Sequence, residues 1–350
     1  NPGHSGGFSR SARLKRYFME KTFTFNSQQL ESSLASFSEK GITEFTLQDS
    51  EILGHKGRLL KFLQTVRKNA PDLFVTLPVD AKILDMDVCK TCAELNCSLD
   101  IVLDGENKGG NFLFDKKFFA RRAQMLNTLG LVFGFDLSFA LHEGDKLKSF
   151  FDRLNFSVGL YPNHIDFPQI EAEISDRKKI EAKPTATFST QDIRRSENIA
   201  RSASVFYSYG RAVTWFLAVL APLKIEPVKF FEDFFEWQKL NNYGLENGIE
   251  KIAGLHSEIE KMQLEFLKFK YEEKNKDQLF EVVSNIVRLN GALSRCFGEG
   301  EESIVEMSYN PDEILSGQAM NVQSFFDNAF MEYSRVRVFM GSDGPDFKYC

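Results

Sequence analysis

The feature that most constrains the fold is an alternation of predicted helices and strands between residues 27 and 168. Five amphipathic segments with helical periodicity alternate with five short apolar segments over this range. The predicted strands are ITEFTLQD, DLFVTLPV, SLDIVLDG, LVFGFDLSFAL and NHIDFPQI. Strands that are joined through helices at this spacing pair in parallel, through right-handed crossovers. The predicted fold class is therefore α/β, as either an incomplete (β/α) barrel or an open doubly wound sheet.

The pattern changes after this alternation. The charged stretch EAEISDRKKIEAKP ends in proline and is typical of a linker, which we place at residues 169–187. Residues 188–350 have mostly helical periodicity, and apolar residues within 249–297 step by three and four, as in an antiparallel helical hairpin. We therefore expect an N-terminal segment at 1–26, an α/β domain of one of these two kinds at 27–168 and an all-α domain at 188–350.

Charge and composition exclude several classes of protein. The formal net charge is -6, which gives no reason to expect nucleic acid or an anionic membrane as a partner. The longest apolar stretch, residues 212–223, is far shorter than the ~20 residues of a membrane span, and no signal peptide is visible. Five cysteines do not make a disulfide scaffold. We expect a cytoplasmic protein that acts on a small molecule, whose identity the sequence does not indicate.

Polar residues follow or end several of the predicted strands. They are Asp49, Ser50 and Glu51 after the first strand, Asp80 after the second, Asp104 after the third, Asp136, His142 and Asp145 at and after the fourth, and His164 and Asp166 in the fifth. Because the carboxyl ends of parallel strands meet at one edge, these groups could bind hydroxyls, an amino group or a metal ion there. The alternative is that they cap helices, which we favour for Asp80 and Asp145.

Several stretches resemble one known family. FDKKFFARRAQMLNTLGLVFGFDLSFALHEGD and FFDRLNFSVGLYPNHIDFPQI resemble the second half of the barrel of radical S-adenosylmethionine (SAM) enzymes, in particular the cobalamin-associated branch. EKGITEFTLQDSEI and ELNCSLDIVLDG resemble earlier strands of that barrel. VFYSYGRAVTWFLAVLAPLKIEPVKFFEDFFEW resembles the helical region that follows it. The resemblance covers about residues 25–240 and implies a partial TIM-like barrel.

The resemblance also implies cofactors and site residues. The family cleaves SAM reductively with a 4Fe–4S cluster, and this branch can also bind cobalamin. The matching positions imply SAM contacts at Asp49, Ser50 and Glu51 for the amino group, at Asp104 for the ribose, and along Phe133, Gly134 and Phe135 for adenine. They imply a substrate side formed by Asp136, His142, Asp145 and His164.

The chain departs from this family at the cluster. The family holds its cluster with a C-x-x-x-C-x-x-C loop after the first barrel strand, and no cysteine precedes Cys89 here. Cys89, Cys92 and Cys97 have a different spacing. Cys89 and Cys92 share a face of the predicted helix, and Cys97 begins the next strand, on the opposite edge from the expected site. We therefore expect them to be small buried thiols, and we predict no metal ligands among them.

Three functions remain open from the sequence. The leading hypothesis is a radical-SAM-type barrel domain, whose full-length form performs SAM- and iron–sulfur-dependent radical chemistry such as methyl transfer or rearrangement. The second is a catalytically inactive, degenerate barrel that acts as a binding or scaffold subunit. The third is an unrelated barrel enzyme that binds a divalent metal at its acidic edge.

In the first two cases the first barrel strand is missing, so the strand TEFTLQ has an open edge. We expect this edge to be covered by residues 17–25, by a partner chain or by an upstream domain.

Overall fold

The computed structural model describes residues 27–108, 111–171, 180–247 and 255–350. The first part of the chain alternates helices and strands around a small inserted hairpin. Its elements are α1 (Ser27–Glu39), β1 (Glu44–Thr46), α2 (Ser50–Leu53), α3 (Lys56–Asn69), β2 (Phe74–Val79), α4 (Met86–Ala93), β3 (Cys97–Val102), β4 (Glu106–Lys108), β5 (Asn111–Leu113), α5 (Lys116–Thr128), β6 (Val132–Asp136), α6 (Leu147–Val158), β7 (His164–Asp166) and α7 (Pro168–Glu171).

A parallel sheet of five strands, in the order β1-β2-β3-β6-β7, organises this part. The order in space is the order along the chain, so the sheet has no point at which the strand order reverses. A doubly wound sheet requires such a reversal. The α/β class is thus confirmed, and the doubly wound alternative is wrong for the described strands.

The two faces of the sheet differ in chemistry. On one face, Phe45 of β1 packs against Phe37 of α1 and Phe62 of α3, with ring centroids 5.5 and 6.3 Å apart. Successive helices of this layer contact one another, from α1 through α3 and α4 to α5. The other face, which we call the polar face, carries buried polar side chains on β1, β2, β3 and β7. They are Thr46, Thr76, Ser98, Asp100, His164 and Asp166. Polar side chains are rarely buried without a structural or functional reason.

A helical turn lies beside the outer edge of β7. Ser208 belongs to a π-helical turn, Ser204–Tyr209, and its hydroxyl accepts a hydrogen bond from Ile165 N and donates one to Ile165 O, both at 2.9 Å. Tyr207 of the same turn donates a hydrogen bond to Pro162 O at 2.8 Å. The two Ser208 bonds satisfy backbone groups of β7 that a further strand would otherwise pair.

The second part of the chain contains helices and three more strands. They are α8 (Thr190–Ala203), α9 (Phe216–Leu220), α10 (Pro227–Leu240), α11 (His256–Glu273), α12 (Phe280–Glu299), β8 (Ser303–Met307), α13 (Pro311–Ile314), α14 (Val322–Asn328), β9 (Ser334–Gly341) and β10 (Gly344–Tyr349). None of the described helices is both long and apolar enough to cross a bilayer.

The expectation of an all-α domain is wrong, because β8, β9 and β10 form an antiparallel sheet in the order β10-β9-β8. Val336 and Val338 alternate with exposed residues on β9, and their buried side chains face the contact with α12. A tight turn with Gly344 at a φ of 124° joins β9 and β10. The period of two and this glycine were the signals of a hairpin in the sequence.

The structure agrees only in part with the predictions for the fifth strand, the helical hairpin and the cover of β1. The predicted strand NHIDFPQI is a strand only at His164–Asp166, since Pro168 begins the short helix α7. The helices α11 and α12 contact each other, as a helical hairpin requires. Residues 1–26, the linker residues 172–179 and residues 248–254 lie outside the described part, so the expected cover of β1 by residues 17–25 stays a prediction.

Candidate functional site

The carboxyl edge of the sheet carries an imidazole–carboxylate contact. Asp104 follows β3, and its Oδ2 lies 2.6 Å from Nε2 of His142 in the loop after β6. Asp104 Oδ1 accepts a hydrogen bond from Gly105 N at 2.7 Å. The two side chains are 29% and 43% exposed, so solutes reach this pair from outside.

The β4–β5 hairpin contributes an aromatic ring to the same place. Phe112 of β5 stacks on the His142 ring, with ring centroids 5.8 Å apart. The guanidinium carbon of Arg153 lies 4.5 Å from the centroid of the same Phe112 ring. A Cβ at Gly105 would lie 2.5 Å from Leu113 O, so only glycine lets the hairpin approach this closely. We call Asp104, Phe112, His142, Asp145 and Arg153 the edge cluster.

Arg153 holds the loop that carries His142. Its side chain is fully buried on α6, and its Nη2 donates to Ser138 O at 2.8 Å and to Asp145 Oδ2 at 3.2 Å. Asp145 Oδ2 also accepts from Ala140 N at 3.2 Å. Asp145 is therefore the buried partner of an arginine, and the expectation that it caps α6 is wrong, because Lys146 occupies the N-cap position.

The residues after β1 have local roles. Asp49 is the N-cap of α2 and accepts hydrogen bonds from Glu51 N at 2.8 Å and Ile52 N at 3.1 Å. Ser50 is exposed, and Glu51 forms an exposed ion pair with Arg58 at 2.7 Å. Helix capping by Asp49 is the ordinary reason for aspartate at this position. The structure does not bring these residues into contact with the edge cluster.

A second group of titratable side chains lies on the polar face. Nε2 of His164, on β7, is 3.0 Å from Asp100 Oδ1 on β3 and 3.4 Å from Asp166 Oδ2 on β7. All three residues are buried, and one ligand atom from each lies within 4.8 Å of the others. We call Asp100, His164 and Asp166 the buried triad. Such a set can share a proton or bind a metal ion.

Glycine at position 134 leaves the space in which His164 reaches Asp100. Gly134 on β6 lies between Asp100 and His164 in the register of the sheet. A Cβ at Gly134 would be 2.1 Å from both Cδ2 and Nε2 of His164. The imidazole therefore crosses β6 at the glycine and reaches the carboxylate on β3.

The neighbours of Gly134 on its strand point in two directions. Phe133 and Phe135 are fully buried on the apolar face, where Phe133 contacts Phe135 edge to face at 5.6 Å. Asp136 is directly opposite Asp166 in the register, on the same face as Gly134. The structure thus separates the two phenyl side chains from the polar face and places Asp136 and His164 on it.

The cysteines do not fit a 4Fe–4S cluster at the carboxyl edge. Cys89 and Cys92 lie on α4 and Cys97 begins β3, at the amino end of the sheet, and all three are buried. Burial raises the pKa of the Cys89 thiol to about 12. The contact with Cys97, followed by burial, raises the pKa of Cys92 far above its usual range. Cluster iron requires thiolates, and the remaining cysteines are Cys296 in α12 and the terminal Cys350.

Sequence reasoning missed three residues of these clusters, Asp100, Arg153 and Phe112, and the first two left a signal in the sequence. Asp100 lies in the middle of the apolar segment SLDIVL, and a carboxylate inside a buried strand was a usable signal. Arg153 lies on the apolar side of α6, where arginine is uncommon without a buried partner. The expected cap at Asp80 is also wrong, because Asp85 caps α4 and Asp80 binds Lys82 N in the preceding turn.

Comparisons with known proteins find only distant likeness. No family model matches the sequence, and no curated protein matches it. Two structures of the radical S-adenosylmethionine methyltransferase TsrM from Kitasatospora setae are similar at 14% sequence identity. One contains cobalamin and a 4Fe–4S cluster (TM-score 0.34), and the other contains tryptophan and the SAM analogue aza-SAM (TM-score 0.35). Each match covers 41% of this chain and 30% of that chain, so this chain spans less than a third of those methyltransferases.

Proposed function

We propose that this chain is a radical-SAM-type domain in which the carboxyl edge of the parallel sheet binds an adenosyl compound. The observation that carries the proposal is the polar face, whose buried side chains extend from β1 to β7 and end at the exposed edge cluster. Ligands bind at this end of the strands in parallel β/α folds. The strand order is that of a (β/α) barrel, and we propose that the polar face is the interior of a partial barrel.

The edge cluster has the groups that an adenosyl compound needs. Asp104 is a partly exposed carboxylate that can accept hydrogen bonds from two ribose hydroxyls. The exposed side of the His142 ring can stack on a base, because its other side rests on Phe112. Arg153 and Asp145 keep this loop in place from below. The backbone at Gly134 is covered by His164, so the proposal assigns adenine to the edge cluster instead.

In a longer protein that includes this domain, we extend the proposal to SAM- and iron–sulfur-dependent radical chemistry, such as methyl transfer or rearrangement, with cobalamin as a further cofactor. The cysteines of this chain do not supply the cluster, so no step of that chemistry is assigned to its residues. The role of this chain is to bind and orient the adenosyl group.

The proposal is tested by saturation-transfer NMR with S-adenosylhomocysteine, which is stable in solution and lacks the reactive sulfonium. Without iron to coordinate the amino and carboxylate groups, we expect a Kd of about 1 mM, or about −4 kcal/mol. Asp104→Asn removes one charged acceptor, and we expect it to weaken binding about tenfold.

Asp346→Asn is the matched control, because exposed Asp346 also accepts a hydrogen bond from the next backbone N–H, at 2.8 Å, but lies on β10. We expect this variant to bind like the unmodified chain. Absence of saturation transfer, or equal effects of the two variants, would contradict the proposal. Micromolar binding that Asp104→Asn abolishes would support the site and overturn the expected weakness.

A further inference from the structure

We propose that the buried triad binds one divalent transition-metal ion on the polar face of the sheet. This inference is independent of the adenosyl site, because Asp100, His164 and Asp166 are buried on the strands, whereas the proposed adenosyl contacts, Asp104 and His142, lie in loops and are partly exposed. The triad unites two carboxylates and one imidazole, whose ligand atoms all lie within 4.8 Å of one another. Carboxylate oxygen and imidazole nitrogen are ordinary ligands of such ions.

The distances within the triad match the edges of a coordination shell. Nε2 of His164 is 3.0 Å from Asp100 Oδ1 and 3.4 Å from Asp166 Oδ2. Metal–ligand bonds of about 2.1 Å place neighbouring ligand atoms about 3.0 Å apart in an octahedron and about 3.4 Å apart in a tetrahedron. Two of the three distances are therefore in the range of a coordination shell, and the third, between the two carboxylates, is no longer than 4.8 Å.

The set of donor atoms narrows the identity of the ion. One nitrogen and two carboxylate oxygens favour Mn²⁺, Fe²⁺ or Zn²⁺, since Cu⁺ and iron–sulfur clusters prefer sulfur ligands. Asp136 is opposite Asp166 in the register and on the same face, so a third acidic residue is on the strand beside the triad. An oxygen-rich set of this kind suits Mn²⁺, which we choose as the probe.

The sheet holds the ligands in position before any ion binds. All three ligand residues lie on strands. Glycine is the only residue type at position 134 that leaves room for the His164 ring between β3 and β7. Rigid elements give more accurate sites than loops. Ser98 points to the same face from β3, two residues before Asp100, and it is 2% exposed. Its hydroxyl has no hydrogen-bond partner among the residues that the structure describes, so it can bond to a ligand or a metal-bound water.

The experiment is a titration of the chelator-treated chain with Mn²⁺, followed by the electron paramagnetic resonance signal of free Mn²⁺. We expect one ion per chain, which Zn²⁺ displaces. We also expect the pulsed spectrum of bound Mn²⁺ to show coupling to one imidazole nitrogen, which requires no variant. Asp100→Asn and His164→Gln are each expected to weaken binding about 100-fold or more, and Gly134→Ala, which displaces the ring without removing a ligand, about 10- to 100-fold.

Two surface variants serve as controls, Asp80→Asn and His55→Gln, because both side chains are exposed and neither lies on the polar face. They are expected to bind Mn²⁺ like the unmodified chain, and circular dichroism checks that every variant is folded. The proposal is wrong if the folded chain binds much less than one ion, if the nitrogen coupling is absent, or if the triad variants bind as tightly as the controls. None of these results bears on adenosyl binding at Asp104.

Discussion

At the scale of the residue, the clearest electrostatic feature outside the sheet is a buried histidine in the helical part. The Nε2 atom of His256 is 3.3 Å from Gly210 O, and its Nδ1 atom is 3.2 Å from Nη1 of Arg295. Burial, followed by the charges of Arg211 and Arg295, lowers the pKa of His256 to about 3. Both contacts are made by a neutral ring that donates from Nε2 and accepts at Nδ1, so protonation is unfavourable in the folded state.

This histidine predicts a specific loss of stability in acid. An unfolded histidine titrates near 6.5, so between about pH 6.5 and 3 the unfolded chain binds one proton more than the folded chain. Its contribution is therefore fully present above about pH 6.5 and is lost by about 1.4 kcal/mol per pH unit as the pH falls through this window. His256→Gln keeps a donor and an acceptor but does not titrate. We expect the free energies of unfolding of the two proteins, measured with urea, to converge with this slope on acidification.

The pH comparison must separate the effect of His256 from that of Glu260, and it needs a control variant. Burial raises the pKa of Glu260, which contacts Arg295, and its contribution to stability changes with pH in the opposite direction. The difference between the two proteins removes this effect, because both retain Glu260. Gln318→Asn, an uncharged change at an exposed position, should give a curve parallel to that of the unmodified chain. Parallel curves for His256→Gln as well would show that His256 is protonated in the folded state.

At the scale of the element, the short strand β7 is held between β6 and a helical turn. Its inner side pairs with β6, and Ile165 directs its N–H and C=O away from β6 to the hydroxyl of Ser208. A serine in a π-helical turn thus occupies the place of a neighbouring strand. A π-helical turn is rare and is often found at functional positions, because it re-aims side chains within a helix. Here it aims Ser208 and Tyr207 at the end of the sheet.

Ser208→Ala is expected to lower the free energy of unfolding by about 1–3 kcal/mol, because it leaves a buried N–H and a buried C=O of Ile165 without their partner. The measurement is chemical denaturation, together with faster amide hydrogen exchange at Ile165. Ser32→Ala is the matched control, since exposed Ser32 bonds only to Gln29 O within its own helix. We expect the control to change stability by less than about 0.5 kcal/mol. Equal stabilities of the two variants would mean that β7 does not depend on the helical turn.

At the scale of the whole molecule, the sheet has two edges that are treated differently. The β7 edge is covered by the helical turn, whereas β1 pairs only with β2 among the strands that the structure describes. Phe45 and Leu47 are buried at this edge and Gln48 is exposed beside it. An unpaired parallel edge invites association with another chain unless a segment covers it.

Deletion of residues 1–25 is expected to promote dimers or larger assemblies, which multi-angle light scattering measures, because it removes residues 17–25, the proposed cover of β1. Gln48→Lys within the shortened chain adds a charge at the edge, and we expect it to restore the monomer in part. Gln318→Lys, exposed and remote from the sheet, is the control that should leave association unchanged. A shortened chain that stays monomeric and equally stable would show that β1 needs no cover.

The sequence alone determined the features that depend on local periodicity and chain length. One of the five amphipathic segments, KGRLLKFLQTVRKN, is the helix α3 (Lys56–Asn69) in the structure, because its apolar residues recur with the helical period and are bounded by turns. The parallel sheet followed from helices long enough for crossovers between strands. The strands β9 and β10 were missed, because their half-exposed alternation was weaker than the helical pattern around them.

Only the tertiary structure decided which polar side chains meet. Asp100 and His164 are 64 positions apart, and they touch because the register of β3, β6 and β7 places them in one row with Gly134 between them. That register depends on how the apolar face packs against the helices, since a shift by one residue would turn every side chain to the other face. The sequence therefore showed that acidic residues lie at the carboxyl ends of the strands. Packing determined that Asp145 binds Arg153 and that Asp100 contacts His164.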